Sequence, residues 1–442
     1  MKNREEKFRF QKKFQGEKIK MRENLPKVLM LGWEFPPLIN GGLGVACHDL
    51  SSAMSNFANI TMVVPKSSLD FKTKNVNLIG INNIDPNAFS SHNKGNTPFT
   101  LHSVPADLNP YYTSTTDASA TDKPGEGKKN ANPFDIDNLY GGDVIKKVHQ
   151  YSDITASLAS TLNFDVIHAH DWMTMIAGMK IKQQTGKPLV VHVHSLEVDR
   201  SGPDSKGWVY DLEKKGMEYA DMLMPVSNFT AENIYKYYGI DKQKMSVIHN
   251  GSTSVKSYQS KRNYKEKTVL FVGRLTRQKG PERFLEIAAK VLEKDPNVRF
   301  VMAGTGDYFR SMLEQSSYKN IGNRFHLTGF LNAEKLHYLF SVSDVYCMPS
   351  VSEPFGLSAV EAAHFGIPCV ISKQSGVAEV LKGALTFDHW DINKAASHIL
   401  SLLNDSVFKN KIVNDARENL DNITWDISAQ KIMNAYSSRN FI

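Results

Sequence analysis

The chain has 442 residues, 41% of them hydrophobic and 22% charged, with a formal net charge of +7 and three cysteines. That length implies two or three domains with real cores, and no apolar run approaches the roughly 18–20 residues that span a bilayer. The first 25 residues hold nine Lys/Arg against four Glu, five of the seven net positive charges. The remainder is therefore nearly neutral, and the basic balance does not mark a nucleic-acid enzyme.

Residues 1–25 lack the apolar stretch of a secretory signal and read as a basic, poorly ordered extension. Docking of this tail to an anionic membrane is the alternative, and it is not favoured. Lys27–Leu31 reads as a first buried strand, followed by a glycine turn and a helix from about Val45 to Phe57. Ile60–Val64, Val76–Ile81 and Thr100–Val104 follow as strands. Residues 107–135 read as a flexible insert, since 113–132 contain no apolar residue except Ala. A helical pattern covers Gly142–Leu162, and Asp165–Ala169, Leu189–His194, Met222–Val226 and Ser246–His249 read as further buried parallel strands. A polar linker spans residues 252–267.

A second α/β series then begins. Its strands are Thr268–Gly273, Val298–Ala303, Phe325–Thr328, Asp344–Met348 and Pro368–Ile371, with helices near 281–294, 307–317, 334–341 and 356–366. Helical stretches at 391–403, 406–419 and 425–438 close the chain. Alternating β and α in both halves implies an α/β protein made of two open, doubly wound parallel sheets.

Chemistry concentrates at the strand ends. In SEPFGLSAVEAAHFG (352–366), Glu353 precedes a Pro-Phe-Gly turn, and Glu361 lies one to two turns inside the helix that follows. The free N–H groups and dipole of that helix attract an anion such as phosphate, and ionised carboxylates suit sugar hydroxyls because they only accept hydrogen bonds. A surface helix with solvated acids explains the pair of Glu alone equally well. Arg274 and Lys279 in GRLTRQKG follow the first strand of the second series, where a guanidinium fork and an ammonium can hold a diphosphate. Arg277 is the competing cation. Gly41, Gly42 and Gly44 sit in the first strand–helix turn, where missing Cβ atoms admit a ligand, although a simple glycine turn reads the same. His168, His170, His192 and His194 form HAH and HVH at two strand ends, so metal ligation is an alternative. Trp172 after Asp171 breaks the HxHxDH pattern of metallo-hydrolases. The one DxD string, Asp135-Ile136-Asp137, lies beside the insert, and no metal site is assigned. The scattered Cys47, Cys347 and Cys369 suggest neither a disulfide nor a CxxC pair, which points to a reducing cytoplasm.

EPFGLSAVEA resembles the signature of retaining nucleotide-sugar glycosyltransferases of the GT-B class, family 4, with glycogen and starch synthases as relatives. GWEFPPLINGGLG (32–44), IHAHDW (167–172), FVGRLTRQKG (271–280), MAGTGD (302–307) and LTGFL (327–331) are similar in the same order, so the likeness covers roughly residues 26–440. It implies the GT-B fold: a discontinuous N-terminal, acceptor-side domain (26–250 plus 425–442) facing a C-terminal donor domain (251–424). It implies a hexose, glucose above all, moved from ADP-glucose or UDP-glucose to a glycan, with no cofactor, metal or nucleic acid. It assigns Arg274 and Lys279 to the donor phosphates, leaving Arg277 solvated. It assigns Glu353 to the sugar ring, Glu361 to the ribose, and His170 to the transferred hexose. The Gly41–Gly42–Gly44 loop, Gly304 with Gly306, Gly329, Phe330, Leu331, Phe355, Gly356 and Leu357 would line the donor. Asn40 stands where glucan synthases usually carry Lys, a departure that bears on the acceptor. A surface polysaccharide, glycolipid or small glucoside is the alternative product. A glycoside hydrolase using the paired acids is the alternative of another class, against which the cations argue.

Overall fold

The computed structural model describes residues 24–38, 41–68, 70–71, 73, 75–84, 143–253 and 262–442. The extension up to residue 23, Asn40, the expected strand 100–104, the insert 107–135, Asp135 and Asp137, and linker residues 254–261 lie outside the described residues.

Two six-stranded sheets organise the chain. The first contains β1 (Lys27–Leu31), β2 (Asn59–Val64), β3 (Val76–Gly80), β4 (Val166–His170), β5 (Leu189–Val193) and β6 (Met222–Pro225), in the order β3-β2-β1-β4-β5-β6. The second contains β7 (Thr268–Val272), β8 (Arg299–Ala303), β9 (Phe325–Gly329), β10 (Val345–Met348), β11 (Cys369–Ser372) and β12 (Leu385–Phe387), in the order β12-β11-β10-β7-β8-β9. Counted from its own first strand, the second order equals the first. All neighbours within each sheet are parallel. Strands buried on both faces explain the continuous apolar runs, since helices cover each side. Each sheet reverses its strand order between its first and fourth strands, which opens a crevice at the carboxyl ends.

In chain order the first-lobe helices are α1 (Gly42–Met54), α2 (Val144–Ala159), α3 (Trp172–Thr185), α4 (Glu197–Ser201), α5 (Trp208–Tyr219) and α6 (Asn228–Asn233). Those after β7 are α7 (Pro281–Leu292), α8 (Phe309–Tyr318), α9 (Ala333–Val342), α10 (Leu357–His364), α11 (Ile392–Asn404), α12 (Ser406–Leu420) and α13 (Trp425–Ser438). The last helix returns to the first lobe: Trp425, Ala429, Ile432 and Tyr436 share a core cluster with Cys47, Leu50 and Met54 of α1. At the crossing, the Ser252 N–H donates to the Ile423 carbonyl at 3.0 Å, so the two connections run side by side.

Two expectations change. Ser246–His249 is not a strand of the sheet, although the Ser246 and Ile248 amides donate to Leu223 and Pro225 of β6 at 2.8 and 2.9 Å. The helix expected from Val45 begins at Gly42, so the paired glycines are its start and not a separate loop. Among the described residues no helix is long and apolar enough to cross a membrane.

Candidate active site in the cleft between the lobes

β10 runs into the turn that carries Glu353, and α10 starts immediately after it. The glutamate is 5% exposed. Its amide donates to the Gln374 carbonyl at 2.8 Å, and its own carbonyl accepts from Gly376 at 2.9 Å. The side chain is thereby aimed, not loose. Its Oε2 accepts from Lys279 Nζ at 2.6 Å and from Ser350 Oγ at 3.2 Å. Acid and cation, 74 residues apart in the chain, form one ion pair.

Arg274 and Lys279 share a loop. The Lys279 stem would lie 3.7 Å from a Cβ placed on Gly273, next to Arg274. Gly304, with φ +143°, allows this packing, because a Cβ there would meet the Gly273 carbonyl oxygen at 1.9 Å. Gly306 approaches Leu275 in the same way, at 2.5 Å from its carbonyl oxygen. The close approach that Gly304 and Gly306 permit is therefore to the Arg274 loop itself. That loop is tied to the Glu353 turn by a hydrogen bond from the Val351 amide to the Gln278 carbonyl at 2.9 Å. Arg274 is exposed at this rim. Arg277, expected to be solvated, is exposed but also lies against the first lobe: a Cβ on Gly202 would sit 2.7 Å from its guanidinium.

Gly356 caps α10 with φ +108°, hemmed in by Met348 and Val377, so its backbone turns where no side chain fits. Glu361, inside α10, is partly buried, and among the described residues its carboxylate has no hydrogen-bond partner. Burial pushes its pKa from 4.5 up to about 7. Glu353 and Glu361 both bear electrostatically on Tyr346, whose hydroxyl bonds Ser358 of α10 at 2.7 Å. The two acids thus belong to one neighbourhood.

The remaining expected donor residues divide. Leu357 packs on both the first-lobe and second-lobe cores, and a Cβ on Gly42 would lie 3.9 Å from it. The glycine turn and the α10 N-terminus therefore face each other. Open space surrounds the Cβ position of Gly41. Gly44, however, is buried within α1 and does not line the open side, because the helix has already begun. Phe355 is 3% exposed and belongs to the second-lobe core, so only its backbone remains for a ligand. Gly329 has φ +73°, and its carbonyl accepts from Gly304 at 3.0 Å. Phe330 is 80% exposed, and Leu331 packs against the core.

The histidines form a buried quartet, because His170 and His192 are register partners on β4 and β5. His168 Nε2 pairs with His192 Nδ1 at 3.1 Å, and His170 Nδ1 with His194 Nε2 at 2.9 Å. His168 Nδ1 bonds the Tyr436 hydroxyl of α13. Burial holds all four rings neutral, with His168 and His194 lowered to about 3. His170, expected at the sugar site, is 0% exposed, with its ring stacked at 5.2 Å on that of His194, the member of the quartet that is only partly buried. Among the described residues, Cys47 with His170 and His194, and His168 with His170 and His192, bring possible metal-ligand atoms within 4.8 Å of one another. Five of the eight ring nitrogens are already spent on the two imidazole pairs and Tyr436, which disfavours a closed tetrahedral site without rotation.

Sequence reasoning missed an acid that orients a strand end within the first lobe, and the polar joint between lobes. Asp171, at φ +58°, accepts from the His194 and Ser195 amides at 2.6 and 3.3 Å and orients the end of β5. Buried Asp199 of α4 accepts from Ser352 Oγ at 2.6 Å, one residue from Glu353. Ser227 Oγ donates to the Pro354 carbonyl at 2.6 Å.

Two doubly wound parallel sheets of this strand order, facing each other across a crevice, have the GT-B architecture. Residues 254–419 match the family model for glycosyl transferases group 1, and residues 27–245 match that for the starch synthase catalytic domain. The chain is 28% identical over 433 residues to an uncharacterized glycosyltransferase of Methanocaldococcus jannaschii, covering 93% of this chain and 97% of the relative. It is 23% identical to a glycogen synthase of Mycobacterium tuberculosis, covering 93% and 94%. The solved sucrose-phosphate synthase of Thermosynechococcus elongatus superposes with a TM-score of 0.69 at 17% identity, covering 93% and 98%. Its second half is similar to group 1 glycosyltransferases and its first half to starch synthase catalytic domains, and the chain is a glycosyltransferase enzyme.

Proposed function

We propose that the protein is a retaining hexosyltransferase that moves glucose from a nucleoside-diphosphate sugar, ADP- or UDP-glucose, to a glycan. The carrying observation is the 2.6 Å pair of Lys279 and Glu353 beside the N-terminus of α10. A cation for phosphate and an acceptor for sugar hydroxyls are held side by side. In this reading the donor lies along the carboxyl ends of the second sheet. Arg274, Lys279 and the first amides of α10 neutralise the diphosphate as it leaves. Glu353 then exchanges part of its bond to Lys279 for hydroxyls of the hexose, and Glu361 accepts from the ribose. Attack comes from the same face as departure, and a phosphate oxygen takes the acceptor proton. No metal or other cofactor has a role. The first lobe supplies the acceptor surface, and apposition of the lobes excludes water.

The likeness to a glycogen synthase and a starch synthase domain supports an α-1,4-glucan as acceptor. A cytoplasmic location is part of the proposal, since Cys47, Cys347 and Cys369 are free and buried thiols suited to a reducing compartment. The test is incubation with ADP-, UDP- and GDP-glucose and glycogen, with the new linkage read by proton NMR. The reading expects transfer from one nucleotide sugar with an α anomer in the product. A β product, or glycan cleavage without any nucleotide, would overturn it.

A further inference from the structure

Glu379 stands outside the expected donor site, yet its carboxylate makes four polar contacts between the lobes. It ends a helical turn, Gly376–Glu379, that follows β11 in the second lobe. Its Oε1 accepts from the Phe229 amide at 2.7 Å. Its Oε2 accepts from the Asn228 amide at 2.9 Å and the Asn228 side-chain amide at 2.8 Å, and pairs with His249 Nε2 at 2.8 Å. All these partners belong to the first lobe. Burial alone would raise the pKa of this acid, but the bonds from His249, Asn228 and Phe229 together outweigh it and lower the pKa.

The same turn is bonded to the loop of the ion-paired acid. Gly376 donates to the Glu353 carbonyl at 2.9 Å, and Val377 donates to the Phe355 carbonyl at 2.7 Å. Gly376 also packs tightly on both lobes: a Cβ there would sit 2.2 Å from the Pro354 carbonyl oxygen and 2.4 Å from Ser227 Cβ. A continuous path therefore runs from α6, through the Glu379 carboxylate and the Gly376 amide, to the backbone of Glu353. Displacing the turn would displace the acid, because the two segments share hydrogen bonds and no slack separates them.

We propose that Glu379 is a positioning residue for sugar transfer: it pins the Gly376–Glu379 turn to α6 and His249, and so sets Glu353 against the first lobe. The part concerning transfer rests on the function proposed above. The pinning itself does not.

The test compares Glu379→Ala and Glu379→Gln with the unmodified chain, by two readouts. Spin labels on Lys146→Cys and Glu334→Cys, exposed positions on opposite lobes, report the interlobe distance whether or not the protein turns over. The native cysteines are buried and stay unlabelled. The proposal expects a broadened distance distribution in Glu379→Ala. It also expects kcat to fall by roughly tenfold to a hundredfold, the scale of a misplaced catalytic group, while donor affinity changes by less than about twofold. Glu379→Gln should lie between, since its amide oxygen still accepts from α6 but its NH2 cannot accept from His249. An unchanged distance distribution overturns the pinning whatever the activity. Wild-type kcat in Glu379→Ala overturns the positioning role. If no nucleotide sugar is turned over by the unmodified chain, the proposed donor chemistry fails while the distance readout still decides the joint.

Discussion

Replacing Glu361 by Gln isolates one buried acid whose ionisation the fold resists. Burial raises its pKa from 4.5 to about 7, and no described residue pairs it. Between those values the folded chain holds a proton that the unfolded chain has released, so stability falls as pH rises through the window. Below about pH 4.5 both states are protonated and the effect vanishes. Above about pH 7 it is complete. A shift of about 2.5 units is worth about 3 kcal/mol, most of which develops between pH 5 and pH 8. Gln is neutral throughout. Urea unfolding of the Glu361→Gln variant and the unmodified chain should therefore show a stability difference that moves in the variant's favour by about 2 to 3 kcal/mol from pH 5 to pH 8. Donor binding should change in the opposite sense. Ribose hydroxyls would pair the carboxylate, so affinity for the nucleotide sugar should rise with pH in the unmodified chain and lose that dependence in the variant. A stability difference that is equal at the two pH values would refute the reasoning.

Lys279→Ala leaves the 5% exposed Glu353 with Ser350 as its side-chain partner; stability should fall by about 1–3 kcal/mol, whereas transfer should fall by at least about a hundredfold, as paired urea unfolding and rate assays would show. Glu353→Ala should likewise lower transfer far more than stability, and a normal rate would refute its role. Gly304→Ala places a Cβ 1.9 Å from the Gly273 carbonyl oxygen, so the Arg274 loop must move; donor affinity measured by calorimetry should drop by about tenfold or more, with the fold retained by circular dichroism. Asp171→Ala removes the acceptor of two backbone amides and should cost about 2–3 kcal/mol, with Asp171→Asn costing less because its amide oxygen still accepts.

What the sequence made legible was periodic or local. β4, β5 and β7 are short, rich in β-branched residues and bounded by polar ones, so their buried parallel character follows from composition. β12 was missed because three residues, Leu385–Phe387, carry too little pattern to separate a strand from a turn. The start of α1 was misplaced because Gly42 and Gly44 have poor helix propensity, which tertiary packing overrides. The Glu353–Lys279 pair was anticipated as two roles at one rim, since both follow strand ends of one sheet. The burial of the Phe355 and His170 side chains was not legible, because a motif shows which residues recur at a site, not which of them point inward. The joint of Asp199, Ser227, His249 and Glu379 was illegible for a related reason. Each is an ordinary polar residue locally, and its meaning appears only when the other lobe arrives.

Calorimetric titration of ADP-, UDP- and GDP-glucose into the unmodified chain and into Arg274→Ala and Lys279→Ala tests the second-lobe grip most directly. The account predicts that at least one of these ligands binds, and that each substitution weakens it by about tenfold or more. Binding that survives both substitutions unchanged, or no binding of any of the three, would contradict it.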